Sequence, residues 1–188
     1  RDCRVFDLVQ KTLLPCLIEN RDREHKLTLW SAGCSTGQEA YSLAIAAQEA
    51  LEDYVGWSWK VIGTDLSSRN IRSAESGVYS QFDINCGLPA QRLVNFFEKK
   101  EGSWCVRESI KKHVVFHKMN LTAPETHFPQ VDLILMRNVL KYFDAAHRNA
   151  VLKKLHGSLR PDGYLVLGEG ETASRENGFE PVHSGRNS

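Results

Sequence analysis

Several kinds of segment that would define a protein class are missing from this chain of 188 residues. No run approaches the roughly 20 apolar residues that a membrane-spanning helix needs, and no signal-peptide pattern is present. The five cysteines form no C-x-x-C pair, and their number is odd. This pattern predicts free thiols in a reducing compartment, the cytoplasm, rather than a disulfide framework. We therefore expect a cytoplasmic protein that does not insert into a membrane.

The sequence also gives little support for a bound metal ion or for nucleic acid as a partner. His113 and His117 are four residues apart, but they flank a β-prone run, so they do not share a helix face and no metal site is expected. The net charge is only +1, and no aromatic and basic platform is present, which disfavours nucleic acid. The chain is 41% apolar and 25% charged, as expected of one ordinary globular domain.

The stretch at residues 27–47 carries the strongest local signal. Residues 27–30 form a short apolar run typical of a buried strand, and apolar residues at helical spacing begin after Gln38. The turn between them, G-C-S-T-G at residues 33–37, lets a ligand approach bare backbone at a helix N-terminus. It lacks the lysine of a phosphate-binding P-loop and the third glycine of the dinucleotide pattern.

An acid in the first turn of that helix suggests the kind of ligand. Glu39 would repel a pyrophosphate but would suit a cationic group, such as the sulfonium or ammonium of S-adenosylmethionine. The alternative is that Glu39 only stabilises the positive end of its own helix.

A second strand, at residues 59–65, ends in Asp65. An acid at this place can accept hydrogen bonds from the two ribose hydroxyls of a nucleoside. The alternative is that Asp65 caps the next helix, although Ser67 and Ser68 already supply caps there.

Strands and helices alternate through most of the chain. An apolar strand at residues 131–136, a helix at residues 145–158 capped by Asp144, and a strand at residues 164–167 continue the pattern. Repeated βαβ units predict a parallel, doubly wound α/β sheet with its ligand beyond the carboxyl ends of the strands. Residues 77–118 interrupt the pattern and predict a small β-rich insertion, and residues 172–188 predict a loosely ordered tail.

In this order, the motifs resemble those of one family, the CheR-type methyltransferases of bacterial chemotaxis. The motifs are S-A-G-C-S-T-G-Q-E-A-Y-S-L-A at residues 31–44, G-T-D at 63–65, M-N-L at 119–121, R-N-V-L-K-Y-F-D at 137–144, L-R-P-D-G-Y at 159–164 and G-E-G-E at 168–171. The resemblance covers nearly the whole chain. It implies a Rossmann-like class I methyltransferase fold over residues 1–188, a small antiparallel β-subdomain at residues 77–118, and transfer of a methyl group from S-adenosylmethionine to glutamates of chemotaxis receptors.

The resemblance also implies roles for particular residues. Ala32 and Gly33 would line the methionine end of the cofactor and Glu39 would contact its polar groups. Asp65 would hold the ribose, Asn120 and Leu121 the adenine, and Asn138 and Val139 the centre of the cofactor. Tyr142 would lie nearest the transferred methyl group, together with Arg1, which aligns with the arginine of the family's F-F-R-[DE] segment. From the residues alone, Tyr142 could equally be an aromatic packed behind the strand.

The sequence departs from the family in three places. The chain begins at Arg1 without methionine, and the family's N-terminal helical domain is missing, so we expect a fragment of a longer protein. It ends near the point where the family continues into its last strands. The segment K-K-E-G-S-W at residues 99–104 is shorter than the glycine-rich loop of members that bind a receptor's C-terminal pentapeptide, which implies a pentapeptide-independent enzyme.

The expected partner is the cytoplasmic domain of methyl-accepting chemotaxis receptors, bound by a monomer. Basic residues of the insertion outnumber the local acids, which suits either an acidic partner or ordinary solvation. Two alternatives to the receptor methyltransferase stay open. One is a regulatory module that binds S-adenosylmethionine or S-adenosylhomocysteine without catalysis, and the other is a methyltransferase acting on a different protein or small-molecule carboxylate.

Overall fold

The computed structural model describes residues 3–85 and 88–182. The eight helices described are α1 (Cys3–Leu8), α2 (Leu14–Asn20), α3 (Gln38–Ala50), α4 (Ser68–Ser76), α5 (Gln81–Asn85), α6 (Ala90–Phe96), α7 (Glu108–Lys111) and α8 (Ala145–Ser158). The eight strands described are β1 (Lys26–Ala32), β2 (Ser58–Asp65), β3 (Val78–Tyr79), β4 (Phe97–Lys100), β5 (Ser103–Val106), β6 (Val114–Lys118), β7 (Val131–Met136) and β8 (Leu159–Leu167). Within these ranges, no helix has the length and apolar character needed to cross a bilayer.

Five of the strands form one parallel sheet in the order β6-β2-β1-β7-β8. The chain runs outward from β1 through β2 to β6, and then returns to build β7 and β8 on the other side of β1. This confirms the predicted doubly wound α/β fold. The order reverses between β1 and β7, and ligands of such sheets bind in the crevice beyond the carboxyl ends of the strands at that reversal.

Side chains of the central strands alternate between two cores because successive residues of a strand point to opposite faces. Leu27 and Leu29 of β1 face one core, which also contains the N-terminal helices and α3. Trp30 of β1 faces the other core, to which α8 contributes Val151 and Leu155. The predicted caps are also present, since the side chain of Asp144 accepts a hydrogen bond from the N–H of His147.

The N-terminal helical stripe is continuous despite Pro15. A π-helical turn (Val9–Leu13) joins α1 to α2, and Pro15 lies in the first turn of α2. Proline has no N–H to donate, and a wider π turn before it accommodates the missing hydrogen bond. Val9, Leu14 and Leu17 are fully buried, so the apolar side of these helices packs into the core.

The small antiparallel sheet has three strands in the order β3-β5-β4. The sequence predicts the strand near residues 113–116 as part of this insertion, and that placement is wrong. Strand β6 pairs with β2 as an edge of the large sheet. The pairing is explained by Gly63 of β2, which lies beside Phe116 of β6. Gly63 leaves room for the Phe116 ring, because a Cβ added there would lie 2.5 Å from the nearest ring atoms.

The predicted loose tail is also wrong for residues 172–182. A short 3₁₀ helix (Arg175–Asn177) begins with a capping box between Ser174 and Asn177. Phe179 then packs against the second core, with its ring 5.4 Å from that of His156. The polar composition of the tail predicts a loose segment, but a single aromatic residue, Phe179, attaches it to the core.

A buried ion pair ties the N-terminal helices to the amino end of the large sheet. Asp132, 1% exposed, accepts hydrogen bonds from the Thr28 N–H at 2.8 Å and from Arg21 Nε at 2.7 Å. Arg21 also donates to both carboxylate oxygens of Asp162, at 2.9 and 3.2 Å. These contacts join α2, β1, β7 and the turn within β8.

We expect Asp132→Ala to lower the free energy of unfolding by about 3 kcal/mol, because the buried Thr28 N–H loses this acceptor and the buried Arg21 keeps only Asp162 as a counterion. Urea unfolding followed by circular dichroism measures the change. Asp22→Ala, at an exposed neighbouring position, is the control. A loss below about 1 kcal/mol would show that the pair is not an anchor.

Candidate functional site

The turns after β1 and β7 meet at the edge of the sheet where folds of this kind have their ligand crevice. The two strands are direct neighbours at the reversal of strand order, and both of these turns leave the carboxyl edge of the sheet. The sequence predicts a ligand at this edge, where Asp65 ends β2 and Asn138 follows β7, and Glu39 lies in the first turn of α3.

The glycine turn after β1 is held against β2. The N–H groups of Gly33 and Cys34 both donate to the Thr64 carbonyl, each at 2.8 Å. Gly33 has φ +79°, and a Cβ added there would lie 2.5 Å from Val139 Cγ2. Only glycine combines this left-handed conformation with so close an approach. The space that a side chain on residue 33 would need is filled by Val139, so the turns after β1 and β7 are in direct contact.

Glu39 has defined partners in the structure. Its carboxylate accepts a hydrogen bond from the Ser31 hydroxyl at 2.9 Å and lies 3.7 Å from Arg137 Nη1. The side chains of Arg137 and Glu39 are only 13% and 17% exposed. Glu39 is thus more than a solvated acid in a first helical turn, because it links the ends of β1 and β7. Arg137 is the first residue of the R-N-V-L-K-Y-F-D motif, and its approach to Glu39 was not predicted from the sequence.

Asp65 bridges two turns instead of capping a helix by itself. One carboxylate oxygen accepts from the Ser35 N–H at 3.0 Å. The other accepts from the Ser67 N–H at 2.9 Å and from Asn70 Nδ2 at 3.1 Å. Ser67 is the helix cap, accepting from the Asn70 N–H. An ionised carboxylate has about four acceptor positions, so Asp65 keeps capacity for a hydroxyl.

The segment after β6 runs beside Asp65. The Met119 N–H donates to the Asp65 carbonyl at 2.9 Å. Asn120 is exposed, and its Oδ1 accepts from the Thr122 N–H and hydroxyl. Leu121 is only 7% exposed and packs in the second core. Ala32 is also fully buried there, beneath the glycine turn, so its side chain belongs to the core.

The turn after β7 carries the remaining predicted residues. Asn138 is exposed with φ +60°, and Val139 packs against Gly33. A 3₁₀ turn (Leu140–Tyr142) follows, and it presents Tyr142 with 77% of its surface exposed. Tyr142 is therefore not packed behind the strand. Arg1 lies outside the described residues.

Cys34 is the one cysteine of the glycine turn, and its burial disfavours the reactive thiolate form. It is 3% exposed, and burial raises the pKa of its thiol to about 12, with added effects from the charges of Asp65 and Glu39. Within residues 3–85 and 88–182, no three His, Cys, Asp or Glu side chains group as metal ligands would.

A doubly wound sheet with a glycine turn after its first strand and an acid after its second has the arrangement of a nucleoside-binding α/β domain. The comparison with known families agrees. Residues 1–187 match the family described as "CheR methyltransferase, SAM binding domain". The chain belongs to the CheR methyltransferase family, and S-adenosylmethionine is the cofactor of this domain.

Two curated relatives illustrate the similarity. "Chemotaxis protein methyltransferase 1" of Pseudomonas aeruginosa is 35% identical over 175 residues, which cover 91% of this chain and 64% of the relative. "Chemotaxis protein methyltransferase" of Borreliella burgdorferi is 32% identical over 187 residues, which cover 97% of this chain and 66% of the relative. The chain therefore spans just under two thirds of the length of these relatives.

We expect Cys34 to resist alkylation by iodoacetamide at pH 8, where a thiol with a pKa of about 12 is almost wholly protonated. Cys16 and Cys105, which are partly exposed, should react first. Peptide mass spectrometry measures the modification, and urea should abolish the difference. Labelling of Cys34 as fast as Cys105 in the folded protein would contradict this assignment.

We expect Asp65→Ala to weaken S-adenosylhomocysteine binding by about 1–3 kcal/mol, because it removes the acceptor for hydroxyls and for the turn's own N–H groups. Isothermal calorimetry measures the affinity. Asp65→Asn, which keeps one oxygen, should lose less, and the exposed Asp53→Ala should lose nothing. Unchanged affinity in Asp65→Ala would remove this residue from the site.

Proposed function

We propose that this domain transfers the methyl group of S-adenosylmethionine to glutamate side chains of methyl-accepting chemotaxis receptors. The observation that carries the proposal is the meeting of the turns after β1 and β7, where Gly33 contacts Val139 and Glu39 approaches Arg137. Membership of a family whose curated relatives are named chemotaxis protein methyltransferases supports the reaction and its biological setting.

The residues around this crevice fit S-adenosylmethionine. Gly33 would line the methionine end from a turn held against Val139, and Glu39 would supply a carboxylate for its cationic groups. Asp65 has acceptor capacity for a ribose hydroxyl, and Asn120 and Leu121 lie on the segment beside it, where the adenine would bind. Asn138 and Val139 would hold the centre of the cofactor. Ala32 would contribute through the backbone, since its side chain is buried.

When bound, S-adenosylmethionine supplies a methyl group activated by a positively charged sulfur. The accepting glutamate has an ordinary pKa near 4.3 and is already ionised at neutral pH, so the protein needs no general base. The residues of the site therefore have two tasks, alignment and exclusion of water. Good alignment of reactants corresponds to effective molarities of about 10⁵ M or more, and a dry site favours the charge-cancelling displacement.

Tyr142 is the described residue that we assign to the incoming carboxylate. Its exposed side chain follows the Asn138 turn, and the Lys141 ammonium lies 5.4 Å from its ring centroid. A hydroxyl there can direct one carboxylate oxygen toward the methyl group. By the family resemblance, Arg1 would orient the same carboxylate through a bidentate contact.

The hairpin of the small sheet bears on receptor docking. Residues Glu101 and Gly102 alone connect β4 to β5, and both have positive φ, as in the tight two-residue turns of hairpins. Such a short turn supports our proposal that the enzyme acts independently of a receptor pentapeptide. The basic side chains nearby are partly engaged, since Lys111 donates to the Ser76 carbonyl and Lys99 lies over the Trp104 ring.

We further propose that the protein works in the cytoplasm as a monomer, with the cytoplasmic domain of a receptor as its partner and without nucleic acid. Its domain organisation, with a methyltransferase domain over residues 1–188 and a small β-subdomain within residues 77–118, is part of the same proposal.

Methyl transfer can be tested directly with radiolabelled S-adenosylmethionine and the cytoplasmic fragment of a receptor. We expect base-labile label on receptor glutamates, because a glutamate methyl ester hydrolyses in alkali. A fragment with its glutamates changed to alanine is the matched control. Cofactor binding without transfer would favour a regulatory module, and label on another protein or a small acid would favour a different carboxylate substrate.

We expect Tyr142→Phe to lower kcat by about tenfold or more while changing S-adenosylhomocysteine affinity less than about twofold, because the lost hydroxyl acts on the carboxylate in the transition state. Steady-state kinetics and calorimetry separate the two effects. Tyr54→Phe, at a partly exposed tyrosine between α3 and β2, should match the wild type. Equal losses of kcat and affinity would mean that Tyr142 serves binding only.

A further inference from the structure

One carboxylate joins the carboxyl ends of two neighbouring strands. Glu171 Oε2 accepts hydrogen bonds from the Asn138 N–H at 2.8 Å and from the Gly168 N–H at 2.9 Å. Its Oε1 accepts a longer hydrogen bond, at 3.4 Å, from the backbone N–H of Lys141. Asn138 follows β7 and Gly168 follows β8, so Glu171 closes the gap between the two turns.

Gly168, three residues before Glu171, makes this contact possible. A Cβ added to Gly168 would lie 2.7 Å from the Asn138 nitrogen and 2.7 Å from Glu171 Oε2. Real Cβ atoms do not approach other atoms so closely, so any side chain at residue 168 would push the carboxylate away from the turn. Gly168 and Glu171 therefore form one device, in which the missing side chain leaves space for the carboxylate.

The residue that receives this carboxylate has an unusual backbone. Asn138 has φ +60°, a region that residues with side chains rarely occupy, although asparagine tolerates it. Conformations of this kind persist where the surroundings hold them. A hydrogen bond to an ionised carboxylate is a strong constraint, and here it acts at the Asn138 N–H itself.

The peptide that Glu171 holds leads straight into the crevice. Val139, the next residue, packs against Gly33, and the Lys141 N–H belongs to the 3₁₀ turn that carries Tyr142. Rotation of the backbone at Asn138 would move both groups. Within the described residues, Glu171 binds the two turns through the backbone N–H groups of Asn138, Lys141 and Gly168.

We propose that Glu171 is a positioning residue for methyl transfer, which holds the turn after β7 in the conformation that the reaction requires. The inference rests on the proposed function. Glu171 acts through the backbone of Asn138 and Lys141, and we assign it no contact with the reacting atoms. Its loss should therefore affect the alignment of groups in the transition state more than the stability of the fold.

Glu171→Ala and Glu171→Gln test this role, with Glu169→Ala as the matched control. Glu169 is exposed, has the same charge and lies two residues away. We expect kcat to fall by about tenfold to a hundredfold in Glu171→Ala, as the loss of a charge-assisted hydrogen bond implies. Glu171→Gln keeps an acceptor oxygen and should recover part of the loss, while Glu169→Ala should match the wild type.

Hydrogen exchange shows whether the change stays local, because loss of a generally stabilising residue would raise exchange throughout the sheet. Amide protection at Asn138 and Lys141 should drop in Glu171→Ala, recover partly in Glu171→Gln and stay unchanged elsewhere in the sheet. Mass spectrometry of peptides covering residues 137–143 measures it, and urea unfolding should give midpoints close to that of the wild type. KM for the cofactor should change less than kcat.

Three results would overturn the proposal. Turnover and exchange in Glu171→Ala that match Glu169→Ala would remove the positioning role while leaving the methyltransferase function intact. A lowered unfolding midpoint, with exchange raised throughout the sheet, would make Glu171 a general stabilising residue. A wild-type protein that binds S-adenosylhomocysteine but transfers no methyl group would refute the proposed function first, and the inference would fall with it.

Discussion

The contact between Gly33 and Val139 is the constraint on which the site depends. Two turns from neighbouring strands approach each other there so closely that no side chain fits on the first of them. The reversal of strand order between β1 and β7 brings these turns together, and the left-handed backbone at Gly33 and Asn138 bends both of them at the crevice. The chemistry proposed for the protein therefore depends on backbone geometry before it depends on any reactive side chain.

Much of the fold follows from patterns that single segments carry by themselves. The apolar run of β7 is buried at every position, and Asp144 and Ser67 begin α8 and α4 as their side-chain chemistry predicts. The placement of β6 could not be obtained in that way. A short β-prone run does not reveal which sheet it joins, and the deciding contact, Phe116 over Gly63, links residues 53 positions apart. The packing of Phe179 could not be predicted for the same reason, since its partner, His156, lies on α8.

In the site, too, the sequence predicts some features and not others. The position of Glu39 and Asp65 near the sheet's carboxyl edge follows from topology, since Asp65 ends one predicted strand and Glu39 begins the helix that follows another. Their partners do not follow from it. Arg137 meets Glu39 across two strands, and Glu171 meets Asn138 across 33 positions of sequence. Contacts to backbone N–H groups leave no compositional signal, because an acid that binds a turn looks in sequence like an acid that faces water.

The buried pair of Arg21 and Asp132 lies at the opposite edge of the same sheet. Asp132 and Asn138 are separated by the length of β7, about 20 Å for six residues of extended chain. The stabilising ion pair and the proposed site thus lie at opposite ends of β7. Drift in the residues that face a substrate can proceed without loosening the scaffold, so a lineage could change what its members methylate while keeping the same framework.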